Sequence, residues 1–214
     1  MIINHEHKFC FFAIPRTGSK SVSKVLVEQF GSEEILRMHA GYDEFMEQAK
    51  RHEKKYFTFA TVRNPMDSVV SAYFKKKSDH NGRFSRGTFK EGRPIGERAM
   101  AEYRFIVEQE ADFATYFMHF YHEPYRLPRH ERTAEAVDHL MRFETLEADF
   151  KSVLSKLGLP CLQAQGRQAQ VDLPNYNSTA GRATDYLSYY TPETHERAKK
   201  VFGPLMKKWG YAFL

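Results

Sequence analysis

A short apolar run, Lys8 to Ile14 (KFCFFAI), is broken by Pro15-Arg16-Thr17-Gly18, and apolar residues then return at helical spacing as Val22, Val25, Leu26 and Phe30. The run is brief and has no helical period, so it reads as a buried strand. Gly31 supplies the stop of the helix that follows. A strand that passes through a glycine-containing turn straight into a helix opens a βαβ unit. That commits the chain to an α/β architecture before any other segment is considered.

The rest of the chain repeats the alternation. A second strand is predicted over Ile35–Met38, ending at His39, and a polar surface helix over Tyr42–His52. Tyr56 to Val62 (YFTFATV) is β-branched and aromatic throughout, the composition of a buried strand. Asn64 then suits a helix cap and Pro65 the first helical position, with the helix running through Val69, Val70 and Tyr73. One helix is expected from about Glu97 to Tyr121, carrying an aromatic stripe (Phe105, Phe113, Tyr116, Phe117, Phe120) that reads as core packing. Val137–Phe143 is a further strand, Phe150 to Leu157 a helix closed by Gly158, and Thr191-Pro192 the start of a last helix. The expectation is one domain over residues 1–214, with a mostly parallel central sheet between helical layers on both faces. Residues 75–98 are expected to form its surface or substrate loop.

Charge and cysteines narrow the function. Net charge is +5, from 32 Lys+Arg against 27 Asp+Glu, too mild to imply nucleic-acid binding and compatible with an anionic ligand. The cations crowd into residues 75–98 (Lys75, Lys76, Lys77, Arg83, Arg86, Lys90, Arg93, Arg98), which fits either a solvated loop or an anion-facing one. Cys10 and Cys161 have no partner at metal or redox spacing, so they read as buried free thiols and no metal is expected. No signal peptide or membrane-spanning run is recognisable, and the expectation is a cytoplasmic, bacterial protein.

In parallel sheets, ligands sit beyond the carboxyl ends of the strands. After the first strand stands Pro15-Arg16-Thr17-Gly18-Ser19-Lys20-Ser21, running into a helix N-terminus. Free amides and the helix dipole there favour an anion, and Arg16, Lys20 and the hydroxyls of Thr17, Ser19 and Ser21 add donors. The segment is a phosphate cradle by chemistry, against the alternative of an ordinary capped turn. It is not a Walker A loop, because Ala13 stands where the first glycine belongs and Ser19 separates Gly18 from Lys20. After the third strand, Arg63 and Ser71, eight positions apart, suit one phosphate between a guanidinium fork and a hydroxyl. Alone, Arg63 equally suits a carboxylate partner.

The pairing of IPRTGSKSV (14–22) with TVRNPMDSVVSAYF (61–74) resembles the two donor-binding motifs of sulfotransferases. Met38-His39-Ala40, Arg142-Phe143-Glu144-Thr145-Leu146 with Asp149-Phe150, and Leu173-Pro174-Asn175 followed by Tyr189-Tyr190-Thr191 and Trp209-Gly210-Tyr211-Ala212-Phe213 resemble further landmarks of the membrane-type carbohydrate sulfotransferases, in the same order. The resemblance implies a fold related to P-loop kinases and 3′-phosphoadenosine 5′-phosphosulfate as co-substrate, with no metal required. It places the 5′-phosphosulfate on residues 16–21 and the 3′-phosphate on Arg63 and Ser71. A covering loop would span Asn177, Ser178 and Arg182. His39 is the expected base, since an imidazole with a pKa near 6.5 accepts a proton at neutral pH. Arg16 stands where the family has lysine. Arginine donates hydrogen bonds without giving up a proton, so Arg16 and Lys20 share the expected role of stabilising the leaving phosphate. The expected reaction is sulfuryl transfer to a hydroxyl on a carbohydrate or similar acceptor. The rival readings are a P-loop-type kinase using a nucleoside triphosphate and a non-catalytic nucleotide- or polyanion-binding module.

Overall fold

A computed structural model of the chain describes residues 1–159, 173 and 181–213. They form an α/β fold with a mixed five-stranded sheet and helices around it. The chain divides into two compact units, Met1–Arg63 with Leu127–Asn177, and Asn64–Arg126 with Ser178–Leu214.

Unit one holds the sheet: β1 (Ile2–Asn4), β2 (Phe9–Phe12), β3 (Glu33–Glu34), β4 (Phe57–Val62) and β5 (His139–Arg142), in the order β3-β1-β2-β4-β5. The pairs β2–β4 and β4–β5 are parallel, with Phe9 opposite Phe57 and Phe59 opposite His139. β1 runs against both β2 and β3, so the sheet is parallel except for that strand. Alternation along β2 separates the two faces. Phe9 and Phe11 pack with Phe59, Met141, Val22, Val25 and Leu26 of α1 (Ser19–Phe30), and Phe150, Val153 and Leu154 of α8 (Leu146–Lys156). On the opposite face Phe12 meets Tyr42 and Phe45 of α2 (Tyr42–Gln48), and α7 (Pro128–Ala136) packs against β4. Helices on both faces are therefore present within this unit, as expected.

Two sequence expectations for this unit change. The strand predicted over Ile35–Met38 does not form. Glu33–Glu34 pairs with Ile2–Ile3 instead, and Leu36 enters the left-handed region at φ 55°, which ends the extension. β1 was not anticipated, because three residues carry too little pattern to register.

Unit two is helical: α3 (Pro65–Lys77), α4 (Arg83–Arg86), α5 (Glu97–Glu108), α6 (Phe113–Phe120) and α9 (Pro192–Lys208). Asn64 caps α3 by accepting from the Met66 amide, as predicted, and α9 starts at the expected Thr191-Pro192, with Thr191 capping it through the Thr194 amide. The single helix expected over 97–121 is two. Glu110 adopts φ 46°, and Asp112 starts the second helix by accepting from the Thr115 amide. The loop expected over 75–98 is shorter as well, since α3 runs on to Lys77 and α4 occupies part of the remainder. Phe113, Tyr116 and Phe117 pack with Tyr73, Val201 and Phe202, so that part of the aromatic stripe is core, with Phe120 at its margin and Phe105 half-buried against His119. Among the described residues, no helix is long and apolar enough to cross a membrane.

Candidate active site

The turn between β2 and α1 begins where the strand's hydrogen bonding ends. Ile14 carries its carbonyl out of the sheet, and two hydroxyls seize it: Thr17 Oγ1 and Ser19 Oγ both donate to Ile14 O at 2.8 Å. Thr17 Oγ1 also lies 2.7 Å from Thr61 Oγ1 on β4. Both side chains are buried. In this arrangement both hydroxyl protons go to Ile14 O. The two side chains fold the turn from within, and backbone amides and cations stand at its surface.

Gly18 caps α1 at φ 72°, a left-handed conformation that L side chains rarely adopt. A Cβ here would sit 2.6 Å from Leu146 Cδ2 and 3.1 Å from Phe143 Cδ2. The residue is thus required on two counts, conformation and the pressure of the β5–α8 segment beneath it. No side chain caps the helix, and no acidic residue occupies its first turn. Ser21 and Val22 amides reach Gly18 O, whereas Ser19 and Lys20 amides stand ahead of any intrahelical acceptor. That N-terminus suits an anion in partial charge and in donors.

Arg16 and Lys20 flank it, both exposed. Arg16 adopts φ 68°, a strained conformation for a residue with a Cβ, costing on the order of 1–2 kcal/mol. Arg63, at the end of β4, holds this strain in place. Its guanidinium donates to Arg16 O at 3.1 Å and lies 4.0 Å from the centre of the Phe143 ring. Arg63 is buried, and it touches the turn itself. Phe143 is a site residue that the sequence shows only as part of a motif. It carries Arg63 on its ring and crowds Gly18.

His39 lies in the turn before α2 rather than at a strand end. Its Nδ1 is 2.7 Å from Ala13 O, at the mouth of the same turn. A carbonyl can only accept, so Nδ1 carries the proton and Nε2 is the basic nitrogen of the neutral ring. His130 on α7 escaped the sequence reading because no motif contains it. Burial, with the neighbouring His39 and Arg129 charges, lowers its pKa to about 4, so it stays neutral near pH 7.

The remaining predicted residues divide between the units and the undescribed stretch. Ser21 is buried on α1. Ser71 is buried on α3 in unit two. Also in unit two, Arg182 forms an ion pair with Asp67, and Asn64 Nδ2 donates to Tyr186 Oη at 3.0 Å. Arg182 is thus already matched to a carboxylate. Asn177 and Ser178 lie outside the described residues.

A mostly parallel sheet whose first helix starts uncapped beside two cations is an α/β arrangement suited to an anion. The comparisons resolve the class further. A family profile described as "Sulfotransferase family" matches residues 1–208. The crystal structure of mouse sulfotransferase SULT7A1 complexed with PAP superposes with a TM-score of 0.51 at 13% identity, covering 96% of this chain and 86% of that one. No curated protein sequence matches. The chain belongs to the sulfotransferase family: it is a sulfotransferase with the family's fold.

Proposed function

We propose that the chain transfers the sulfuryl group of 3′-phosphoadenosine 5′-phosphosulfate to a hydroxyl on a carbohydrate acceptor. The observation that carries this reading is the turn after β2, where an uncapped helix start, Arg16 and Lys20 converge, with His39 anchored to the same turn through Ala13 O. The PAP bound in the mouse sulfotransferase has the same phosphate chemistry. Resemblance of the His39 and Arg142–Phe150 segments to carbohydrate sulfotransferases supports the acceptor class.

The chain's own groups divide the work. Amides at Ser19 and Lys20 bind the 5′-phosphosulfate end. Arg16 and Lys20 offset the charge that builds on the leaving phosphate as the S–O bond breaks. Arg16 acts by charge and hydrogen bonding alone, and Lys20 is the group able to lend a proton. His39 Nε2 takes the proton of the acceptor hydroxyl as its oxygen attacks sulfur, and Nδ1–H on Ala13 O keeps the ring oriented throughout. Arg63, on the evidence of its motif and its place beside Arg16, binds the nucleotide's phosphate. Ser71 is assigned to the nucleotide by motif alone, and so are Asn177, Ser178 and Arg182.

The test is transfer of labelled sulfate from the donor to a panel of glycans, lipids and small alcohols. His39→Ala is expected to lower kcat roughly 10²–10⁴-fold with PAP affinity within about twofold of the parent. A variant with unchanged kcat removes His39 from the reaction. Transfer only to non-sugar acceptors overturns the carbohydrate assignment.

A further inference from the structure

The sequence offers no metal-ligand spacing, yet folding brings three ligand-bearing residues together in unit one. His5, His52 and Glu53 each place a ligand atom within 4.8 Å of the other two. Parallel pairing explains the meeting. Phe9 and Phe57 stand opposite each other at the amino ends of β2 and β4. His5 precedes the first by four residues and Glu53 precedes the second by four, so both lie at the amino edge of the sheet. The phosphate turn follows Phe12, at the carboxyl edge. This cluster is therefore separate from the reaction site.

We propose that His5, His52 and Glu53 bind a divalent transition-metal ion, zinc by preference, that ties the β1–β2 turn to the segment entering β4. The donor set is two imidazoles and one carboxylate with a coordination position left for water, a composition zinc accepts. Glu53 is the fixed member. It is buried, its Oε2 accepts from the Lys50 amide at 2.7 Å, and its Oε1 faces His52 Nε2 at 3.9 Å. Lys50 Nζ stands 4.0 Å from the same oxygen, but that side chain is exposed and can swing away. Tetrahedral zinc with bonds of about 2.0–2.1 Å needs ligand atoms about 3.4 Å apart. The contraction falls on two exposed imidazoles, which can turn. Tyr56 braces both, its ring edge-on to His5 and His52 and its hydroxyl 3.2 Å from His5 Nδ1. Such an outer partner orients a metal-bound imidazole.

The experiment uses the full chain, stripped with EDTA and followed by thermal unfolding with Zn²⁺ or Mg²⁺ and by visible absorption with Co²⁺. The expected result is one Zn²⁺ per chain, a midpoint raised by roughly 5–10 °C at a hundredfold excess over the dissociation constant, and no response to Mg²⁺. Co²⁺ is expected to give the visible bands of a four-coordinate ion. Because both histidines are exposed, His5→Ala and His52→Ala are expected to leave the fold intact. Each is expected to weaken zinc at least tenfold, and the double variant to lose the response while keeping PAP affinity. A wild-type midpoint indifferent to zinc, or a double variant that responds as the wild type does, overturns the proposal.

Discussion

The turn after β2 and the cluster around Glu102 both gather cations, and they treat them in opposite ways. In unit two, Lys76 Nζ lies 2.7 Å from Glu102 Oε2 and Arg98 Nε 3.0 Å from Oε1. Tyr116 Oη donates to the same carboxylate at 3.2 Å, and Lys76, Glu102 and Tyr116 are all buried. In unit one, Arg16 and Lys20 are exposed, and neither forms an ion pair among the described residues. The first arrangement satisfies its charges internally, at the expense of drawing them out of water. The second keeps its charges hydrated and available. The strain of Arg16 at φ 68° and the uncapped helix N-terminus are local costs for which binding of a phosphate, as proposed, supplies a reason.

Removing one partner of the buried cluster is expected to have the largest effect. Lys76→Met leaves a buried carboxylate without its ammonium, costing about 3–5 kcal/mol in chemical denaturation. The pH dependence follows from the same group. Burial pushes the Glu102 carboxyl up, but the Lys76 and Arg98 charges and hydrogen bonds outweigh it, so its net pKa is lowered. The folded state thus binds the proton less readily than the unfolded chain. The stability this group contributes is present above the ordinary glutamate range near pH 4.5 and drains away as pH falls below it. An acid titration of Glu102→Gln is expected to lack that component. Identical acid curves for variant and parent would remove the cluster from the comparison.

Next in size come the exposed cations. Arg16→Ala and Lys20→Ala are each expected to weaken PAP about tenfold or more, from the loss of a charge-assisted hydrogen bond, with the denaturation midpoint unmoved. A fall in stability instead of affinity would place these residues in the same class as Lys76. The smallest effect isolates the strain. Arg16→Gly relieves the left-handed backbone and is expected to raise stability by about 0.5–1 kcal/mol, even as PAP binding weakens. A variant less stable than the parent would show that the Arg16 side chain supports the fold.

The strand–turn–helix opening, the cap at Asn64, the helix start at Thr191 and the buried part of the aromatic stripe were legible because each is written in neighbouring residues. The internal hydrogen bonds of Thr17 and Ser19 were not legible. Composition marks them as donors, and only the fold reveals that Ile14 O takes their protons. Phe143 sits more than a hundred residues from the turn, and His130 about ninety from His39, so no local pattern announces them. The same holds for His5, His52 and Glu53, joined by a parallel register that no spacing rule anticipates.

Titration of the wild-type chain with PAP, and separately with ATP and magnesium, followed by calorimetry or thermal unfolding, tests the central reading most directly. The account predicts saturable, one-to-one stabilisation by PAP that weakens in Arg16→Ala and Lys20→Ala. Stabilisation by magnesium-ATP with indifference to PAP would contradict it.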